Sequence, residues 1–148
     1  MQAKETISVK GRLKIHVWDA ETLETKDYRE VDNLVVDVGL DYIASRMKDT
    51  SQTAMSHMAV GSDGTTPAAG DTTLGSELGR VALTSTTVTN NVVEYVATFG
   101  AGTATGAIEE AGIFNAGVAG VMLCHTTFAV VNKGSADAMS ITWDVTVA

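Results

Sequence analysis

A single cysteine, a single proline and an aromatic content of 5% are the first things this 148-residue chain shows. The lone Cys124 excludes an internal disulfide and any cysteine-based zinc site, and it fits synthesis in a reducing cytoplasm. So few aromatics argue against a sugar-processing cleft, which needs ring platforms beside its two carboxylates. Charge is scarce as well, at 19% of residues against about 25% in an ordinary soluble domain. Lysine and arginine nearly vanish after residue 50: only Arg80 and Lys133 face eight acids there, a net of −6, while residues 1–50 carry −2. A chain with ten cations, a net charge of −8 and a pI near 4.7 has no phosphate-neutralising surface, so nucleic acid is not an expected partner. The opening Met-Gln-Ala-Lys-Glu lacks the apolar core of a signal peptide, and no apolar run reaches the length of a membrane span. A soluble protein without membrane insertion or recognisable export is expected.

What the chain does contain is strand pattern and small-residue loops. Its length suits one domain, 1–148. Ile7, Val9, Leu13, Ile15 and Val17 alternate with Ser8, Lys10, Arg12, Lys14, His16 and Trp18, the period of a half-buried strand. A turn at residues 19–23 and a return over 25–31, with Tyr28 directed inward, complete an N-terminal hairpin within residues 1–32. Val36, Leu40, Ile43 and Met47 share one helical face, which predicts a helix within 33–49 capped by Asp37 or begun earlier at Asn33, with Arg46 and Lys48 near its negative pole. After a polar connector over 50–56, the pattern predicts a buried strand over 57–61, then a break at the Asp-Gly and proline of 62–67. Residues 68–79 read as an irregular loop or single helical turn held by Leu74 and Leu78.

Strands are predicted over 81–89 and 92–99 around the Asn90-Asn91 turn, and over 108–114 and 121–128 around 116–120. Beyond a turn at 132–134, Ile141, Trp143, Val145 and Val147 alternate with Ser140, Thr142, Asp144 and Thr146. The fold class expected is mainly β: an antiparallel β-sandwich with its core over 57–148, an N-terminal hairpin, and one helix packed on a sheet.

None of the candidate chemistries has its required setting. Residues 100–106, Gly-Ala-Gly-Thr-Ala-Thr-Gly, imitate a phosphate loop, but strand pattern follows where a helix N-terminus is needed and no Gly-Lys-Ser/Thr is present. Cys124 and His125 are adjacent, and neighbours on a strand point to opposite faces, so they form no nucleophile–base pair. Cys124 reads as an apolar filler. His16, His57 and His125 fit no metal motif and read as surface or cap positions. Glu109 and Glu110 face apart on a strand, so one is directed toward the face of Ile108 or Phe114 and must be paired. Arg80, bonded to Glu110 or to Glu77, is the natural tie. Trp18, among Lys10, Arg12, Lys14 and His16, is either an interface anchor or a cover over the hairpin end. No catalytic, cofactor-binding or metal-ligating residue is assigned, and no cofactor is expected.

Several segments, taken in order, resemble the tail-fibre, tail-collar and baseplate-attachment proteins of tailed bacteriophages. They are Asn-Leu-Val-Val-Asp-Val-Gly at 33–39; Met-Ala-Val-Gly-Ser at 58–62; Leu74, Glu77, Leu78 and Arg80; Glu-Ala-Gly-Ile-Phe at 110–114; Met122 through Phe128; and Ile-Thr-Trp at 141–143. The resemblance covers roughly residues 33–147; the first 32 are less well matched. It implies a virion component, assembled in the host cytoplasm, that forms a homo-oligomer and packs against other phage tail, neck or baseplate proteins. It implies no reaction. A host-surface glycan-binding module and a capsid decoration protein are the alternative readings.

Overall fold

The computed structural model describes residues 6–48 and 52–148. The extreme N-terminal segment, residue 49 of the expected helix and the first two residues of the connector lie outside them. Among the described residues, nine strands and one helix follow one another as β1 (Val9–Asp19), β2 (Thr25–Val35), α1 (Asp37–Met47), β3 (His57–Gly61), β4 (Glu77–Ala82), β5 (Ser85–Thr89), β6 (Val92–Phe99), β7 (Gly106–Phe114), β8 (Met122–Lys133) and β9 (Asp137–Val147). Every pairing is antiparallel, and the strands form one sheet in the order β4-β3-β7-β8-β2-β1-β9-β6-β5. The expected mainly β, antiparallel fold with a hairpin and one packed helix is the architecture found, as a single curled sheet. The expected core over 57–148 is corrected, because the hairpin strands β1 and β2 lie in the middle of that sheet and Leu13, Ile15 and Val17 of β1 are core residues. The two halves of the sheet join narrowly, where Leu34 and Val35 pair with His125 and Cys124. Among the described residues, no helix is long and apolar enough to cross a membrane.

The two end strands of the sheet, β4 and β5, are consecutive in the chain, with only Leu83 and Thr84 between them. The Leu83 amide donates to Ser56 O at 2.9 Å and the Thr84 amide to Val96 O at 2.7 Å, so the linker is stitched to both halves. The sheet must therefore curl until its ends meet. Sequence pattern merges 81–89 into one strand; the structure breaks it at this linker and places the pieces at opposite ends of the sheet. Curling turns one face inward, where Leu13, Ile15 and Val17 of β1, Phe99 of β6 and Ile141 and Trp143 of β9 share a core with Met58 and Val60 of β3 and Ile108 and Ile113 of β7.

Several local expectations are corrected. Tyr28 is not directed inward: it lies opposite His16 in the β1–β2 ladder, shares that outward face, and is 55% exposed. Residues 33–35 continue β2, and α1 starts only at Asp37, with Val36 at the cap position and no side-chain cap bond. The helix buries Gly39 and Tyr42, while Leu40 and Met47 of the expected face are exposed. Gly39 explains the rotation, because a Cβ there would strike the Leu123 carbonyl. The helix thus docks on β8 through its smallest residue. β4 begins at Glu77, so the loop ends at residue 76; Leu74 is buried as expected, but Leu78 is 40% exposed. β8 runs on to Lys133, beyond the expected end at 128.

Candidate functional site

On the sheet face away from the main core, Val36, Ala59, Leu74, Phe114 and Met122 form a second apolar cluster. A β-bulge creates the neighbouring polar site. The β7–β8 register shifts there: Ile108 pairs with Val131 but Glu110 with Thr127, so Glu109 alone on β7 faces Phe128, Ala129 and Val130 and the extra residues lie on β8. Simple alternation puts Ile108 and Glu110 on one face; with the bulge, Ile108, Ala111 and Ile113 enter the core while Glu110 shares the outer face with Phe114.

Glu110 is fully buried there beneath the loop of residues 62–76. Its Oε2 accepts from the amides of Asp63 at 3.1 Å and Ser76 at 2.8 Å, and its Oε1 from the amide of Gly75 at 2.8 Å. His125, 5% exposed, places Nε2 3.1 Å from Glu110 Oε1 and Nδ1 2.9 Å from Asp71 Oδ2. Each ring nitrogen thus lies within hydrogen-bond distance of a carboxyl oxygen, one from β7 and one from the loop. Asp71 Oδ2 also accepts from the Ala68 amide at 2.9 Å, and that amide, with His125, holds the carboxyl below the usual aspartate range. Asp63 is held low by the hydroxyl and amide of Thr65. A cleft of about 340 Å³ opens beside these groups, lined by Asp63, Thr66, Asp71, Thr72, Glu110 and His125.

Arg80 does not meet Glu110. Its partner is Glu77, at 2.7 Å, and its Nη1 also donates to the carbonyls of Ala116 and Ala119 at 3.0 and 2.8 Å. The guanidinium lies 3.8 Å over the Phe114 ring, and the side chain is 8% exposed. One cation thereby fixes β4, β7 and the β7–β8 turn. Lys133 is 1% exposed and donates to Gly100 O at 2.9 Å and Asp137 O at 2.7 Å; burial pulls its ammonium below the usual lysine value, against the charge of Asp137. It ties down the glycine loop, and β7 follows that loop where a phosphate site needs a helix.

The remaining sequence candidates stay apart. Cys124 is buried in the core on the face opposite His125, and burial raises its thiol well above the usual range. His57 bonds its neighbour Ser56 at 2.8 Å, and His16 bonds Thr25 at 2.9 Å. Trp18 stands at the hairpin end with its ring 5.0 Å from that of His16, which lies 6.3 Å from Tyr28. His125 is neither a surface nor a cap residue, contrary to its sequence reading, and its link to Asp71, 54 positions away, has no local signature. Among the described residues, no group of three or more His, Cys, Asp or Glu is arranged to hold a metal ion, and no hydroxyl or thiol is hydrogen-bonded to the His125 ring. What this arrangement does chemically is hold a loop: one carboxylate caps three amides, and an imidazole bolts it to a second carboxylate.

The fold defines the chain as an antiparallel β protein with one docked helix. Comparison with protein-family models, with curated proteins and with solved structures returns no match.

Proposed function

We propose that this chain is a structural component of a phage virion, a tail, neck or baseplate fibre or adaptor protein that works by protein–protein assembly and carries out no reaction of its own. The observation that carries the proposal is the convergence of the segments with the phage resemblance. Leu74 packs with Phe114, Arg80 stacks on Phe114 and pairs with Glu77, and Glu110 caps the amides of Gly75 and Ser76. Residues matched piecemeal along the sequence thus form one unit that holds a long loop in a fixed shape. Such a unit suits a protein that must present the same surface to its neighbours on every particle. The scarcity of charge outside these ties supports the same reading.

Deleting the gene from the phage tests it. Particles lacking a defined tail, neck or baseplate appendage are expected; particles of unchanged structure and infectivity would overturn the proposal.

A host-surface glycan module is a second reading, favoured by one feature: His16, Trp18 and Tyr28 gather on one face of the hairpin, with Leu23 70% exposed at its tip. Stacking on sugar rings is the chemistry such a patch offers. Glycan-array binding that is lost on Trp18→Ala would favour this reading over the first.

A further inference from the structure

We propose that strand β5 is a homodimerisation edge, pairing antiparallel with β5 of a second copy about a two-fold axis at Thr87. The inference deepens the assembly reading above by naming a partner: another molecule of this chain.

The sheet ends at β5, and all five residues of Ser85–Thr89 are exposed. An open edge presents a row of unpaired amides and carbonyls, and natural proteins usually guard it with lysine, proline or a bulge. β5 has none of these. Residues 81–93 contain no charged side chain and no proline, and the β5–β6 ladder runs in unbroken register. The opposite edge is guarded. Beside β4 the register is bulged between Val60 and Gly61, and the strand carries the Glu77–Arg80 ion pair. The unguarded state of β5 is therefore specific to that edge.

A second copy fits this edge for two reasons. The chain carries −8, so two copies repel wherever acidic surfaces approach, and the charge-free run around β5 is where they can meet without that penalty. The strand is also self-complementary. With the axis at Thr87, Thr87 meets its own copy, Ser85 meets Thr89, and Thr86 meets Val88. Val88, 69% exposed in the single chain, is then covered across the seam. Thr87 lies opposite Glu94 and Glu94 opposite Asp144, so the nearest acids stand at least one strand back from the axis on each side. A five-residue strand pair is smaller than the roughly 1,000 Å² of a stable interface. The dimer is accordingly of the weak class and becomes dominant where copies are held close together, as on a particle.

Analytical ultracentrifugation of the purified chain from about 10 µM to about 1 mM tests the proposal. A monomer–dimer equilibrium is expected, with Thr87→Lys weakening it at least about tenfold through like charges set face to face. Thr87→Glu alone should do the same, and an equimolar mixture of the two variants should restore dimerisation. Such rescue requires position 87 to meet itself. Circular dichroism confirms that the variants fold. Independently, Thr87→Cys should form an intermolecular disulfide under mild oxidation more readily than Thr86→Cys, with buried Cys124 inert in both. A chain that stays monomeric across the range, or a dimer indifferent to all three Thr87 variants, overturns the inference. Either result leaves the virion proposal standing, and normal particles after gene deletion would sink that proposal while leaving the dimer untouched.

Discussion

The guanidinium of Arg80 lies 3.8 Å above the ring of Phe114, joining the edge strand β4 to the inner strand β7. The stack is sheltered, and the same side chain also binds Glu77 and two carbonyls of the 115–121 turn. Arg80→Ala strands those carbonyls and leaves Glu77 without its partner, so a loss of about 2–4 kcal/mol is expected in urea denaturation. Arg80→Lys should recover little of it, because an ammonium has no planar fork to stack and bond at once.

Glu110 gives a second, more local expectation. Glu110→Gln replaces one carboxylate oxygen by an amide donor, which then faces either the Gly75 amide and His125 or the amides of Asp63 and Ser76, and it removes the charge that all three amides cap. Hydrogen exchange at those three amides should accelerate by about tenfold or more, with global stability lowered by about 1–3 kcal/mol. Unchanged protection there would show that the loop holds its shape without Glu110. Substitutions at exposed Thr65 and Thr66 test whether the loop's surface serves assembly with Glu110 still satisfied, whereas deleting the loop would orphan a fully buried carboxylate.

Acid should release this same loop. The Ala68 amide and His125 hold Asp71 below its ordinary value of 3.8, and Thr65 does so for Asp63. A carboxyl depressed in the folded state contributes stability that is fully present above its unfolded pKa and is lost as pH falls through the folded value. Stability should thus be flat above about pH 5 on this account and decline from about pH 4 downward. Asp71→Asn and Asp63→Asn should each flatten that decline in acid-titrated thermal melts.

Helix docking depends on the absence of one side chain. Gly39→Ala drives a Cβ into the Leu123 carbonyl, and about 1–3 kcal/mol of destabilisation is expected despite the higher helix propensity of alanine. A stabilised variant would mean that the helix packs less closely on β8.

Much of the fold was legible because strand pairs with regular alternation announce themselves. β3, β6 and the inward row Ile141, Trp143 and Val145 of β9 match their sequence patterns. The Asn90-Asn91 turn does too, with Asn90 at φ +53°. The misreadings have physical causes outside local pattern. Tyr28 follows the register of a partner strand, and helix rotation follows a backbone contact at Gly39. The split of 81–89 follows from closure of the whole sheet. The buried site was half visible: alternation demanded a paired carboxylate at residue 109 or 110 and offered Glu77 as the mate of Arg80. Without the bulge, the sequence could not show that three amides and His125 satisfy Glu110.

The most direct measurement of the central claim, that this chain is built into a virion, is to locate it on intact particles with a bound antibody viewed by cryo-electron microscopy. Label at a fixed position on the tail, neck or baseplate is the expected result. Purified, infectious particles that contain none of the chain would contradict it.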